Sequence, residues 1–262
     1  MPSREAFIYI PGLLKTIFYI VSLISSIVFI TGLYSRFSIW LKGNEESSDL
    51  LSGKGFGGMV IMSLRYFFSR DCLLATRVMS KSRFRGIMLI FIYWGFTILF
   101  IGTILVGLDH YLKLGFLRGT FYLLFSFMLD LSGLAVLTGS VFFILRRTIV
   151  SRDIVSGWDD LPVLILLSLI ILSGFSVEGV RLSIMSPSFM DLSPIGALFA
   201  RLLRKVSSPH VYILLWSIHV IAALFFIAFI PFSKQFHMFA AQITTQDAMF
   251  RKERLGGLVH DR

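Results

Sequence analysis

Apolar and polar positions fall in long blocks along this chain. Five apolar runs, 14–33, 86–108, 121–145, 162–182 and 211–232, are separated by stretches that hold most of the charge. A run of about twenty apolar residues crosses the hydrocarbon core of a bilayer as one α-helix. The pattern predicts an all-α protein, an integral membrane five-helix bundle forming a single domain over 1–262. The first run is too long for a cleavable signal peptide, and no small-x-small cleavage site follows it. Between the first two runs, the loop 34–85 has two halves. Residues 43–58 (GNEESSDLLSGKGFGG) are polar and glycine-rich, a connecting stretch. Residues 59–85 place apolar and basic side chains at helical spacing. They predict an amphipathic helix, either lying on the membrane surface or docking a soluble partner. The other long loop, 183–208, is broken by Pro187 and Pro194 and bounded by Pro209.

Composition sharpens this picture. Hydrophobic residues make up 56% of the chain and charged residues only 15%. That much apolar surface cannot be hidden inside a soluble domain of this length, so an ordinary soluble enzyme is excluded. The surplus of base, 25 Lys and Arg against 15 Asp and Glu, has a topological distribution. The loop 34–85 carries nine Lys and Arg, the loop 146–160 three and the tail from 233 five, all on one side of the bundle. The positive-inside rule puts those three segments in the cytoplasm and the N-terminus outside. Nucleic acid is therefore not the expected partner. A single cysteine, Cys72, leaves no disulfide within the chain and no set of cluster ligands, so iron–sulfur chemistry has to sit in another subunit.

Candidate chemistry rests on a few polar residues in the apolar runs. His219 and His237 are 18 residues apart, which on one α-helix is five turns, so the two share a face about 27 Å apart along the axis. Two stacked histidines on a membrane helix suit axial ligation of two b-type haems; the plain alternative is a pair of interfacial histidines. Pro231 lies between them and can kink the helix. His210 faces the other way, and His260 lies in a polar tail. On the second run, His110 is the candidate to complete the site of His219. That pairing would put residue 92 opposite His237, where there is no histidine. Gly95 and Gly102 share a face of the same run. They would let a flat macrocycle approach the backbone or let two helices pack closely.

Asp130 sits in the third run, and Glu178 and Arg181 near the outer end of the fourth. Glu178 and Arg181 are spaced i, i+3 and can pair. One reading is a charge pair that holds helices together. The other is a quinone headgroup pocket with proton acceptors, formed by Asp130, Glu178, Arg181 and His210, or an Arg181 that holds a haem propionate. Quinol oxidation releases two protons, so such a pocket needs a carboxylate or histidine beside the ring.

Five spans, two histidines 18 apart on the last, and the run PFSKQFH resemble the gamma-type cytochrome b subunit of respiratory nitrate reductase. The likeness is closer to the membrane cytochrome b subunits of heterodisulfide-reductase-like complexes, including those linked to dissimilatory sulfite reduction. The stretches that carry it are RFRGIMLIFIYWGFTILFIGT (83–103), GTFYLLFSFMLDLSGL (119–134), SGFSVEGVRL (173–182), SPIGALFA (193–200) and HVYILLWSIHVIAALFFIAFIPFSKQFHMFAA (210–241). The resemblance implies a five-helix cytochrome holding one or two haem b between the second and fifth helices. It implies electron exchange with a menaquinone-type quinone in anaerobic respiration. Its partners would be a cytoplasmic iron–sulfur subunit of heterodisulfide-reductase type and, in some complexes, periplasmic multihaem or iron–sulfur subunits. His219 and His237 would be axial ligands to haem iron, with His110 completing the outer site. One departure stands out: Leu89 occupies the place where such subunits carry the histidine that partners the equivalent of His237. The inner haem is then absent, five-coordinate on His237, or ligated by a substitute. Candidate substitutes are Met88, a residue of 59–85 and a partner subunit; retention with altered ligation is the expectation. Such a chain is an electron-transfer subunit and not catalytic alone. The rival class is an ion- or proton-translocating transporter, or a non-haem membrane anchor, built on Asp130, Glu178 and Arg181; no binding-site break in mid-span supports it.

Overall fold

The computed structural model describes residues 7–42, 76–150, 160–185 and 190–233. His237, His260, the tail beyond Ser233 and residues 59–75 of the expected amphipathic segment lie outside them. The described residues are helical and contain no strand. Helix α1 is Gly12–Lys42, α2 Thr76–Lys81, α3 Arg83–Leu112, α4 Gly119–Leu145, α5 Asp160–Met185, α6 Pro194–Leu203 and α7 Pro209–Phe229. Five of these helices are long and apolar enough to cross a membrane, over Gly12–Arg36, Arg83–Leu112, Gly119–Ile149, Leu161–Met185 and Pro209–Phe232. They coincide with the five runs read from the sequence. A π-helical turn, Arg146–Val150, follows α4.

Two compact units divide the chain, one comprising Met1–Leu23 and Ile87–Phe226, the other Ile24–Gly86 and Ile227–Arg262. In the first, α4 and α5 are the most enclosed: 33% and 44% of their apolar stretches are buried, against 6% for α1. Helices in lipid gain nothing from hiding apolar side chains from water, so they associate through close packing of small residues. Here Gly95 and Gly139 serve the α3–α4 contact. A Cβ on Gly95 would lie 2.6 Å from Val136 Cγ2 and 2.7 Å from the Ser132 carbonyl oxygen, and one on Gly139 would lie 2.7 Å from the Met88 carbonyl oxygen. Gly133 admits the Phe175 ring of α5, and Gly179 admits Phe199 of α6. Phe7, Phe18 and Trp216 form an aromatic cluster that ties the N-terminal segment to α1 and α7.

The short helix α6 begins at Pro194, whose missing N–H costs nothing at a helix start. Its N-cap residue, Ser193, makes no side-chain cap of its own. The orphan amides of Ile195 and Gly196 instead donate to Asp130 Oδ2 on α4, at 3.0 and 3.1 Å. In the second unit, Gly32 of α1 meets Pro231 and Phe232. Pro231 does more than kink the last span: α7 ends at Phe229 and a 3₁₀ turn, Ile230–Phe232, follows. A proline removes the backbone donor that the α-helix needs to continue. The unbroken five-turn spacing expected between His219 and His237 is therefore interrupted.

Candidate functional site

His219 projects from α7 onto α5. Its ring lies over Gly174, where a Cβ would come within 3.1 Å of the imidazole Cε1, close enough that the ring would have to shift by a few tenths of an ångström. Nδ1 is 3.0 Å from Ser173 Oγ and 3.1 Å from the Ile170 carbonyl oxygen. Ser173 Oγ donates its own proton to that carbonyl at 2.9 Å. With the serine hydrogen committed, both neighbours of Nδ1 are acceptors, and the consistent tautomer carries its proton on Nδ1. An axial bond to iron would then come from Nε2. A ligating histidine commonly has its other nitrogen fixed by a carbonyl or hydroxyl in this way. The donor set at His219 thus fits a haem ligand.

The other expected ligands are placed differently. His110 is exposed in the last turn of α3 and packs edge-on against Phe7, with ring centroids 5.0 Å apart. Phe96 of α3 meets Phe226 of α7 at 5.9 Å. Counting seven residues outward on each antiparallel helix brings Thr103 level with His219. His110 is then a further seven residues out, about 10 Å along the axis. His110 and His219 thus have different neighbours and different depths. Met88 is buried, and its carbonyl oxygen faces Gly139. Leu89 is half-buried, and His210 is exposed at the start of α7. Gly95 and Gly102 differ from the expectation of haem access. The space beyond Gly95 is taken by Val136 and Ser132 and that beyond Gly102 by Leu129, all on α4. Of the two uses considered for these glycines, close helix packing is the one seen.

Asp130, Glu178 and Arg181 form a polar layer between α4, α5 and α6. Arg181 is 4% exposed and donates to both carboxylate oxygens of Glu178, through Nη2 at 2.6 Å and Nε at 3.0 Å. Its Nη2 also donates to the Tyr122 hydroxyl on α4 at 2.8 Å. Asp130 is 5% exposed. Its Oδ2 accepts the two α6 amides and the Ser193 hydroxyl, the latter at 2.9 Å. Ser126 then donates to Ser193 Oγ at 3.1 Å. A cavity of about 10 Å³ lies among Tyr122, Ser126, Leu182 and Ser193. That is the lower limit for one water molecule, far too small for a quinone ring. These groups act as a clasp that holds α4, α5 and α6 together. Sequence reasoning missed Tyr122, Ser126 and Ser193. A signal was present, because Tyr122, Ser126 and Asp130 stand at i, i+4 and i+8 on one face of α4.

No known protein-family profile matches the chain. Similarity to characterised proteins is distant but long. An EtfAB:quinone oxidoreductase of Syntrophomonas wolfei is 26% identical over 245 residues, which cover 86% of this chain and 32% of that protein. The chain thus spans about a third of that relative. One subunit of the dihydromethanophenazine:CoB–CoM heterodisulfide reductase of Methanosarcina barkeri is 27% identical over 250 residues, 84% of this chain and 87% of that relative. With five helices able to cross a bilayer, the chain is a multi-pass membrane protein.

Proposed function

We propose that this chain is a membrane electron-transfer subunit of a quinone-linked oxidoreductase complex, with His219 as an axial ligand to a haem b. The observation that carries the proposal is the seating of His219, with Gly174 making room for the ring and Ile170 and Ser173 holding the proton on Nδ1. Similarity to a quinone oxidoreductase and to part of a heterodisulfide reductase supports the redox class. A haem here would supply a one-electron carrier, shuttling between ferrous and ferric iron. The chain's own part is to fix the imidazole and set its depth in the bundle. His237 is the proposed ligand of an inner haem, so one or two haem b are bound. Electrons pass between a menaquinone-type quinone and a cytoplasmic iron–sulfur partner of heterodisulfide-reductase type. The basic loop 34–85 and the C-terminus face that partner, and further redox subunits sit on the other side.

A reduced-minus-oxidised spectrum of the purified protein, with haem quantified against protein, tests this reading. The expected result is a b-type absorption band that is lost or strongly reduced in His219→Ala. Absence of any haem from the native protein would favour a non-haem membrane anchor instead.

A further inference from the structure

A second feature lies at the same end of the bundle as the α3–α4 turn and owes nothing to the clasp. A cavity of about 500 Å³ opens between the start of α1, the end of α3 and the turn that leads into α4. Three cations line it: Lys15 on α1, and Lys113 and Arg118 on the turn. Phe7, Asp109 and His110 also stand in its wall. The turn is shaped by its backbone. Lys113, Gly115 and Gly119 take positive φ values of 53°, 67° and 60°, and Asp109 Oδ1 accepts the Phe116 amide at 2.8 Å. Gly115 is favoured by its backbone, because an L side chain rarely adopts its positive φ. Lys15 Nζ sits 5.6 Å from the centroid of the Phe7 ring.

We propose that this recess binds an anionic phospholipid. Three observations point to that chemistry. First, depth: Lys15 is one turn inside α1 and His110 is in the last turn of α3, so the recess lies at the level of the lipid headgroups. Exposed Tyr9 and Tyr111 mark the same level, as tyrosines do at a membrane interface. Second, charge: three cations stand against one carboxylate, and that carboxylate is already engaged by the turn. A phosphate is favoured, and a headgroup that carries an amine is disfavoured. Third, an apolar path: Leu112 and, one turn further into the membrane along α3, Leu108 are exposed and offer a surface for acyl chains. Phosphate on Lys113, Arg118 and Lys15, with the chains along these leucines, satisfies all three.

The test uses the full-length protein in nanodiscs of phosphatidylcholine containing a minor share of phosphatidylglycerol. Lipid retained on extraction into detergent is quantified by mass spectrometry. The expected result is enrichment of phosphatidylglycerol by the native protein. In Lys113→Gln/Arg118→Gln it should fall by about tenfold or more, given the contribution of each basic residue near a charged membrane surface. Arg204→Gln/Lys205→Gln removes two exposed cations just past α6, at the same end of the bundle but outside the recess, and should leave enrichment unchanged. Equal losses in the two double variants would overturn the site in favour of diffuse surface attraction. So would no loss in the first. Displacement of the lipid by inorganic phosphate, but not by chloride at equal ionic strength, would reassign the recess to a soluble phosphate. Lys113→Gln alone, at an exposed position, keeps the test open if the double variant misfolds.

Discussion

Replacing Glu178 by glutamine should expose what the polar layer is for. Arg181 has 5% of its side chain accessible and Glu178 18%, so the carboxylate is the closest counter-charge to a cation with almost no access to solvent. Tyr122 adds a neutral hydrogen bond and no charge. Breaking a buried pair by removing one charge costs about 3–5 kcal/mol, because the remaining charge is left uncompensated. Glutamine keeps one acceptor for the guanidinium, so Glu178→Gln belongs at the lower end of that range and Glu178→Ala at the upper. The double change Glu178→Leu/Arg181→Met removes both charges and should be close to neutral, as replacement of buried pairs by packed apolar groups often is. Unfolding of the full chain in one fixed detergent mixture, followed by tryptophan fluorescence, compares these variants, and adding Glu178→Leu and Arg181→Met as single changes completes the four corners of a double-mutant cycle. If Glu178→Gln unfolds at the native midpoint, Arg181 has another counter-charge or reaches water, and the pair with Glu178 is not what holds it. Haem content of the double variant separates the two roles. A clasp predicts that it is retained; a propionate-binding Arg181 predicts that it is lost.

Three further outcomes follow from contacts of the same kind. Asp130→Ala strips the Ile195 and Gly196 amides of their acceptor, so amide hydrogen exchange across Pro194–Leu203 should quicken, with a loss of about 2 kcal/mol or more; unchanged exchange would show that α6 is capped otherwise. Gly174→Val pushes a side chain into the His219 ring, and haem content should fall while Ser173→Ala, which leaves the Ile170 carbonyl in place, retains it. Gly95→Ala drives a Cβ against the Ser132 carbonyl and should cost roughly 1–3 kcal/mol, whereas Gly107→Ala, with nothing within 4 Å, should be neutral or slightly stabilising in the same unfolding assay.

The membrane architecture was legible because it rests on run length alone, and bilayer thickness sets that length. All five helices stand where the apolar blocks put them, and α6 starts at Pro194, one of the three prolines read as breakers. The site was less legible, for two physical reasons. Residue depth depends on helix register, and register is set by contacts such as Phe96 with Phe226 and Gly95 with Val136, which no periodicity records. Partner choice depends on which helices adjoin. From spacing alone, Glu178 and Arg181 were expected to be able to pair, and they do. That Asp130 would spend its charge on the start of α6 could not be seen, because the two are more than sixty residues apart in sequence.

Helix register also constrains how iron on His219 would be coordinated. The level of α3 opposite His219 is near Thr103, within ILFIGTILV, and none of these residues is a customary haem ligand. Its Gly102 is already filled by Leu129 of α4. His110, about 10 Å farther out, would have to descend almost two turns to reach the same iron. With His219 as its sole protein ligand, a haem bound here would be open to a small exchangeable molecule. The reduced protein should then bind carbon monoxide, with a shift of its Soret band, and its oxidised form should show high-spin character by electron paramagnetic resonance. The His110→Ala variant should give the same spectra. A haem closed on both faces would be low-spin and indifferent to carbon monoxide. If the native protein behaves that way and His110→Ala opens it, then α3 and α7 shift along one another when haem binds, and the register read from Phe96 and Phe226 is not that of the loaded protein.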